Sequence, residues 1–143
     1  MEPITYVTWY IVFTNHDVNR HPIHRILHKP FYHCYCFRQI GDHIHYNNPT
    51  ISNIDTKIYE RVDAESLAQE ILKQPNTKVL KFKYRFDINN IMFNIYNMAP
   101  TCVSVVKMFL GIRCKAVTPY QLYKYLLKRG AFHLTNNIKN YGK

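Results

Sequence analysis

The sequence predicts an α+β fold in which an antiparallel sheet packs against a buried central helix that carries Cys102. Runs rich in β-branched and aromatic residues flank the pair Gly41-Asp42, and this pattern is typical of a β-hairpin. The segment 103–112 is apolar around nearly the whole circumference of a helix, which indicates a helix buried in the core. Of the 143 residues, 47% are hydrophobic, so the chain can bury a core without disulfides or metal.

The strands and helices follow from periodicity and from capping residues. A strand is predicted over 4–13, a short helix within 16–30 and a further strand over 51–62. Asp63 begins an amphipathic helix over 63–74, and the alternating segment 77–86 is expected to pair with a strand over 89–98. A last helix runs from the Thr118-Pro119 cap to Gly130. We expect a single domain over 1–143, with 131–143 as a loosely ordered tail.

The hairpin pattern also predicts which side chains share a face. A two-residue turn at Gly41-Asp42 places residue n opposite residue 83 − n, so Ile40 faces His43. His33 and Asn48 then become diagonal neighbours on the more aromatic face. A bulge would bring Asn47 or His45 to that place instead. The opposite face carries Cys34, Cys36, Arg38, His43, His45 and Asn47.

Cys102 stands where the apolar helix begins. The unpaired N–H groups and the positive dipole end of a helix N-terminus favour thiolate over thiol. A thiol hydrolase needs a cysteine, a histidine to take its proton, and a polar group that orients the imidazole. Cys102, His33 and Asn48 supply these three groups. Inert packing is the competing interpretation, because buried cysteines are common.

Metal binding is a weaker interpretation of the same residues. His21, His24 and His28 lie at helical spacing, but Pro22 interrupts them and no cysteine or carboxylate joins them at zinc spacing. A zinc site could be drawn from Cys34, Cys36, His43 and His45, although C-x-C on a strand is not a zinc-knuckle spacing. We therefore expect no metal and no cofactor. Cys114 is interpreted as a small packed residue.

The charge and the N-terminus suggest partners and location. A formal net charge of +10 makes nucleic acid a possible partner, although the basic residues are scattered. The sequence has no apolar run of about eighteen residues, and the pattern of its first residues does not predict a secretion signal. We expect no membrane association and a location in a cytoplasm, with thiols in place of disulfides.

Four segments resemble a known family. They are FYHCYCF, YNNPT, TCVSVVKMFLGI and TPYQLYKYL, which lie within 31–127. This arrangement resembles circularly permuted papain-like cysteine hydrolases, such as NlpC-type peptidases and the lecithin-retinol acyltransferase family, and above all short bacteriophage-encoded members. In these proteins the histidine strand precedes the cysteine helix, and the third position holds an acid as often as an amide.

The resemblance implies a permuted papain-like fold and a thiol-dependent amidase or peptidase. Cys102 would be the nucleophile, His33 the base and Asn48 the orienting group. The substrate would be a peptide, an amide or a peptidoglycan-type polymer, and no cofactor is implied. A phage protein would act in the host cytoplasm or in the virion. The alternative is a non-catalytic virion or nucleic-acid-associated protein on the same scaffold, with virion proteins as possible partners.

Overall fold

A computed structural model describes residues 5–15, 30–50, 53–85 and 101–136. The predicted α+β class is confirmed: these residues form a six-stranded antiparallel sheet and three helices. The strands are β1 (Tyr6–Thr14), β2 (His33–Ile40), β3 (His43–Pro49), β4 (Ile54–Glu60), β5 (Thr77–Arg85) and β6 (Phe132–His133). The helices are α1 (Ala64–Leu72), α2 (Cys102–Leu110) and α3 (Pro119–Lys128). Along the sheet the strand order is β4-β3-β2-β1-β5-β6.

The hairpin of β2 and β3 has the register that the sequence predicts. Ile40 pairs with His43, Phe37 with Tyr46 and Cys36 with Asn47. Gly41 adopts a φ of 62°, a left-handed conformation that glycine reaches without the steric cost of a Cβ. The two-residue turn therefore fixes which side chains of the hairpin share a face.

Helices cover both faces of the sheet. Ala64, Ala68 and Ile71 of α1 pack on one face, while α2 and α3 pack on the other through residues such as Val106 and Leu122. The α1 face of the sheet contributes Tyr10, Val12, Tyr35, Phe37 and Val79, and the α2 face contributes Trp9, Ile11, Phe13, Cys34, Cys36, Leu80 and Phe82. Cys34 and Cys36 thus lie beneath the helix that begins at Cys102.

Residues at both ends fix the position of α2. Thr101 and Ser104 form a capping box, in which each side chain accepts a hydrogen bond from the other residue's backbone N–H. At the C-terminal end Gly111 adopts a φ of 64°, and the Tyr84 hydroxyl donates to the carbonyl of Leu110. These contacts define where the helix starts and ends, independently of its apolar packing.

The loop after α2 is held by a buried cation. The Lys107 ammonium donates to the carbonyl oxygens of Cys114 and Ala116, both at 2.9 Å. Burying an ammonium is costly unless its donors are satisfied, and these carbonyls satisfy two of them. Cys114 is partly exposed and packs at the edge of the core.

The structure differs from the sequence prediction at α2 and at the C-terminal segment. α2 is not buried on all sides: Val103, Val106 and Leu110 are buried, but Met108 is 37% exposed, because only one side of the helix faces the sheet. The segment 131–143 is expected to be a loosely ordered tail, but Phe132 and His133 form strand β6 and pair with β5. The helix expected within 16–30 and the strand over 89–98 lie outside the described residues, as do 137–143.

Within the described ranges no helix has both the length and the apolar character needed to cross a bilayer. The longest, α3, has 10 residues, about half of what a transmembrane helix needs.

The capping boxes of α2 and α3 offer a matched pair of variants. Thr118 caps α3 through Gln121 as Thr101 caps α2 through Ser104. We expect Thr101→Ala and Thr118→Ala each to lower the free energy of unfolding by about 1 kcal/mol, measured by chemical denaturation. Only Thr101→Ala should also slow alkylation of Cys102, because it loosens the turn that carries the thiol. Equal alkylation rates in the two variants would contradict this.

Candidate active site

A short hydrogen bond joins His33 to Asn48 across the hairpin. His33 begins β2, Asn48 lies near the end of β3, and the distance from Nε2 of His33 to Oδ1 of Asn48 is 2.6 Å. An amide oxygen only accepts, so Nε2 of His33 is the donor. In the neutral ring Nδ1 is then the acceptor nitrogen, and it is the atom that can exchange a proton with a thiol. Asn48 therefore selects the tautomer that a general base needs.

Cys102 lies at the first position of α2 and interacts with two consecutive residues of β2. A hydrogen bond from the Cys34 side chain, a hydrogen bond and a positive charge from His33, and the backbone N–H of Cys34 all favour the thiolate. Burial opposes them, but together they lower the pKa of Cys102 to about 4. An ordinary thiol has a pKa of about 8.5. At neutral pH the sulfur is therefore in the thiolate form.

The position of His33 at the end of its strand explains how both residues reach the sulfur. Successive residues of a strand point to opposite faces, and Cys34 points to the α2 face. His33 is the first residue of β2, so its ring lies at the end of the strand, near the start of α2. Cys102 therefore contacts Cys34 on the α2 face of the sheet. It contacts His33 where β2 begins.

Aromatic rings lie on the other side of the imidazole. The ring centroids of His33 and Tyr35 are 6.0 Å apart, and those of Tyr35 and Tyr46 are 5.2 Å apart. Burial raises the pKa of Tyr35, so its hydroxyl stays protonated. His33 thus has a neutral aromatic ring as its neighbour along β2.

The structure distinguishes among the three candidates for the orienting group. Asn48 contacts His33 directly. Asn47 lies opposite Cys36, and its Oδ1 accepts a hydrogen bond from Thr56 at 3.3 Å. His45 lies opposite Arg38, further along the hairpin. The register runs without a bulge from the pair Ile40–His43 to the pair Cys36–Asn47, so neither Asn47 nor His45 is moved to the place of Asn48.

The other cysteines have different environments. None of the four cysteines forms a disulfide. Cys36 is fully buried, and burial raises its pKa, so it is inert as a nucleophile.

Among the residues that the structure describes, no group of three His, Cys, Asp or Glu side chains could hold a metal ion. The trio of His21, His24 and His28 lies outside those residues.

Sequence reasoning missed the role of Cys34. The sequence suggests Cys34 only as a possible zinc ligand, whereas in the structure its side chain makes the largest favourable contribution to the Cys102 thiolate. The available signal was the alternation of β2, which places Cys34 on the face that the cysteine helix covers. Which end of α2 lies over Cys34 depends on tertiary packing, and no local pattern reports it.

No family model, no curated protein and no solved structure matches this chain. The three groups that a thiol hydrolase needs, a thiolate, an imidazole and an orienting amide, all lie around the start of β2.

The low pKa of Cys102 predicts how its reactivity depends on pH. Because the thiolate is the reactive form, alkylation by iodoacetamide should stay fast from neutral pH downwards and fall only as the pH approaches about 4. Mass-spectrometric mapping of the alkylated residue gives the rate at each pH. His33→Ala should move the midpoint towards the ordinary thiol value, because it removes a hydrogen bond and a positive charge.

Cys36 is the internal control for this titration, because it shares the protein but is buried with a raised pKa. It should remain unmodified in the folded protein throughout. A midpoint for Cys102 near pH 8, or no effect of His33→Ala, would show that the thiol is not activated.

Proposed function

We propose that the protein is a thiol-dependent hydrolase, an amidase or peptidase of the permuted papain-like type. The observation that carries the proposal is the 2.6 Å hydrogen bond between His33 and Asn48 beside a cysteine whose pKa is lowered to about 4. A structural role does not require a cysteine in the thiolate form, and perturbed pKa values cluster at functional sites. The order of histidine strand before cysteine helix agrees with the permuted arrangement.

Acylation would begin with the thiolate already formed. The sulfur of Cys102 attacks the carbonyl carbon of the substrate, a C–S bond forms, and the carbonyl oxygen becomes an oxyanion. The N–H of Cys102 lies in the first turn of α2, where backbone N–H groups have no intrahelical acceptor. It can donate to the oxyanion, and the positive end of the helix dipole adds to this stabilisation.

His33 would then act first as an acid and later as a base. Its imidazolium donates a proton to the leaving amine nitrogen as the C–N bond breaks, which leaves an acyl-cysteine. A water molecule attacks the acyl carbon while the neutral ring accepts its proton, and the C–S bond breaks to release the acid and the thiolate. Asn48 holds the ring through Nε2 in both steps.

The substrate class follows from this chemistry and from the family resemblance. A thiolate with an imidazolium partner suits an acyl group with an amine leaving group, as in a peptide or a peptidoglycan-type amide. The resemblance to short phage-encoded members further suggests a phage protein that acts in the host cytoplasm or in the virion. No metal or cofactor has a part in the proposed steps.

Activity-based labelling tests the proposal. An electrophilic acyl probe should label Cys102 alone, and Cys102→Ala should abolish the labelling. Asn48→Ala should reduce the labelling rate by about 100-fold, because a misplaced base costs about that much. Asn48→Asp should restore most of it, since a carboxylate can also orient the imidazole. Thr56→Ala is the control, because it removes the hydrogen bond to Asn47 instead.

Labelling of Cys36 or Cys114 in preference to Cys102 would overturn the assignment of the nucleophile. If Asn48→Ala and Thr56→Ala gave the same labelling rate as the unmodified chain, the orienting role of Asn48 would be wrong.

A second candidate function is supported by the charge. The net charge is +10, and in the part of the chain that the structure describes two lysines lie over exposed aromatic rings, Lys83 over Tyr6 at 5.6 Å and Lys124 over Tyr120 at 4.7 Å. Such surfaces suit a polyanion such as single-stranded nucleic acid. A virion or nucleic-acid-associated protein should be retained on DNA in a salt-dependent manner that Cys102→Ser leaves unchanged. Retention without acyl-probe labelling would favour this second function.

A further inference from the structure

The thiol of Cys34 has no part in the hydrolytic steps, yet it lies against the sulfur that performs them. Cys34 belongs to the core cluster between the sheet and α2, Cys102 packs against that cluster, and the Cys34 side chain and backbone N–H are near enough to the Cys102 sulfur to favour its thiolate. Cys34 is completely buried, whereas Cys102 is partly exposed. Two thiols of unequal access therefore meet where α2 packs on β2.

We propose that Cys34 and Cys102 form a reversible disulfide when the protein meets a hydroperoxide. The exposure of the two residues sets the order of events: Cys102 is partly exposed and Cys34 is completely buried, so the hydroperoxide oxidises Cys102 first. An exposed reactive cysteine beside a second thiol is the usual arrangement of a redox-sensitive pair.

The reaction has two balanced steps. The Cys102 thiolate attacks the hydroperoxide, an S–O bond forms as the O–O bond breaks, and the departing oxygen takes a proton from solvent. The product is a sulfenic acid, in which the sulfur is oxidised by two electrons and the peroxide is reduced. The Cys34 sulfur then attacks the sulfenic sulfur, an S–S bond forms, and the S–O bond breaks. The hydroxyl of the sulfenic acid and the proton of Cys34 leave together as water.

The disulfide would stop the activity of the site and would also protect Cys102 from further oxidation. With its sulfur bound to Cys34, Cys102 can neither attack a substrate nor advance to sulfinic acid, which is irreversible for most proteins. A dithiol can attack the partly exposed sulfur of Cys102 and restore both thiols. The loss of hydrolysis on oxidation rests on the proposed function. The formation of the disulfide does not depend on it.

Cys36 gives a matched control within the same strand. It is as buried as Cys34, points to the same face, and lies two residues further along β2. Burial raises its pKa, and it is not among the groups that act on Cys102. Cys36→Ser therefore repeats the chemical change of Cys34→Ser without removing the second thiol of the pair.

Peptide mapping after oxidation tests the proposal on the full chain. The protein is treated with hydrogen peroxide in slight excess, remaining thiols are alkylated under denaturing conditions, and the digest is searched for linked peptides. We expect a Cys34–Cys102 linkage in the unmodified chain and in Cys36→Ser, reversed by a dithiol. In Cys34→Ser we expect a sulfenic acid at Cys102 that dimedone traps, followed by sulfinic acid.

Sulfenic or sulfinic acid at Cys102 without linkage to Cys34 in the unmodified chain would overturn the proposal, and so would a loss of linkage in Cys36→Ser. Because the linkage is read in the unmodified chain, the test does not depend on how well Cys34→Ser folds. Failure of the hydrolase proposal is read separately: an acyl probe that never labels the reduced protein would contradict hydrolysis while leaving the linkage result intact.

Discussion

The chemistry of this protein depends on one packing constraint, the placement of the first residue of α2 over the first two residues of β2. The apolar side of α2, with Val103, Val106 and Leu110 buried, holds the helix on the sheet. The capping box at Thr101 then determines which residue starts the helix. Because Cys102 is that residue, its sulfur meets both Cys34 and His33. A shift of the sequence by one position along the packed helix would turn the thiol by roughly 100° about the helix axis.

This placement explains why a partly buried sulfur carries a charge. Burial alone disfavours a thiolate, as the raised pKa of Cys36 shows two residues away from Cys34. At Cys102 the hydrogen bonds from Cys34 and the imidazolium of His33 outweigh burial. The same strand therefore holds two different thiols: Cys36 lies beneath the body of α2 and is inert, and Cys34 lies at the start of α2 and stabilises the Cys102 thiolate. Position relative to the helix end, and not residue type, separates the two.

Much of the hairpin could be predicted from sequence because its signals are local. The Gly41-Asp42 turn sets the register, the register makes His33 and Asn48 diagonal neighbours, and their hydrogen bond follows. The start of α2 was equally local, since Thr101 and Ser104 are capping residues. Which side of α2 faces solvent was not predictable, because a run of apolar residues does not tell which of them the sheet covers, and Met108 lies on the open side.

Long-range contacts account for what sequence reasoning missed. β6 forms because the chain after α3 returns to β5, and a segment of two residues carries too little periodicity to predict a strand. The contact of Cys34 with Cys102 joins segments separated by more than sixty residues. Alternation places Cys34 on the correct face but does not give its distance from the helix start.

The most direct test of the central claim is the ultraviolet absorbance of the thiolate, measured as the difference between the unmodified chain and Cys102→Ser across pH. If α2 places Cys102 against Cys34 and His33 as described, the thiolate signal is present at neutral pH and disappears only as the pH falls towards about 4. A signal that appears only above about pH 8, the range of an ordinary thiol, would contradict the account.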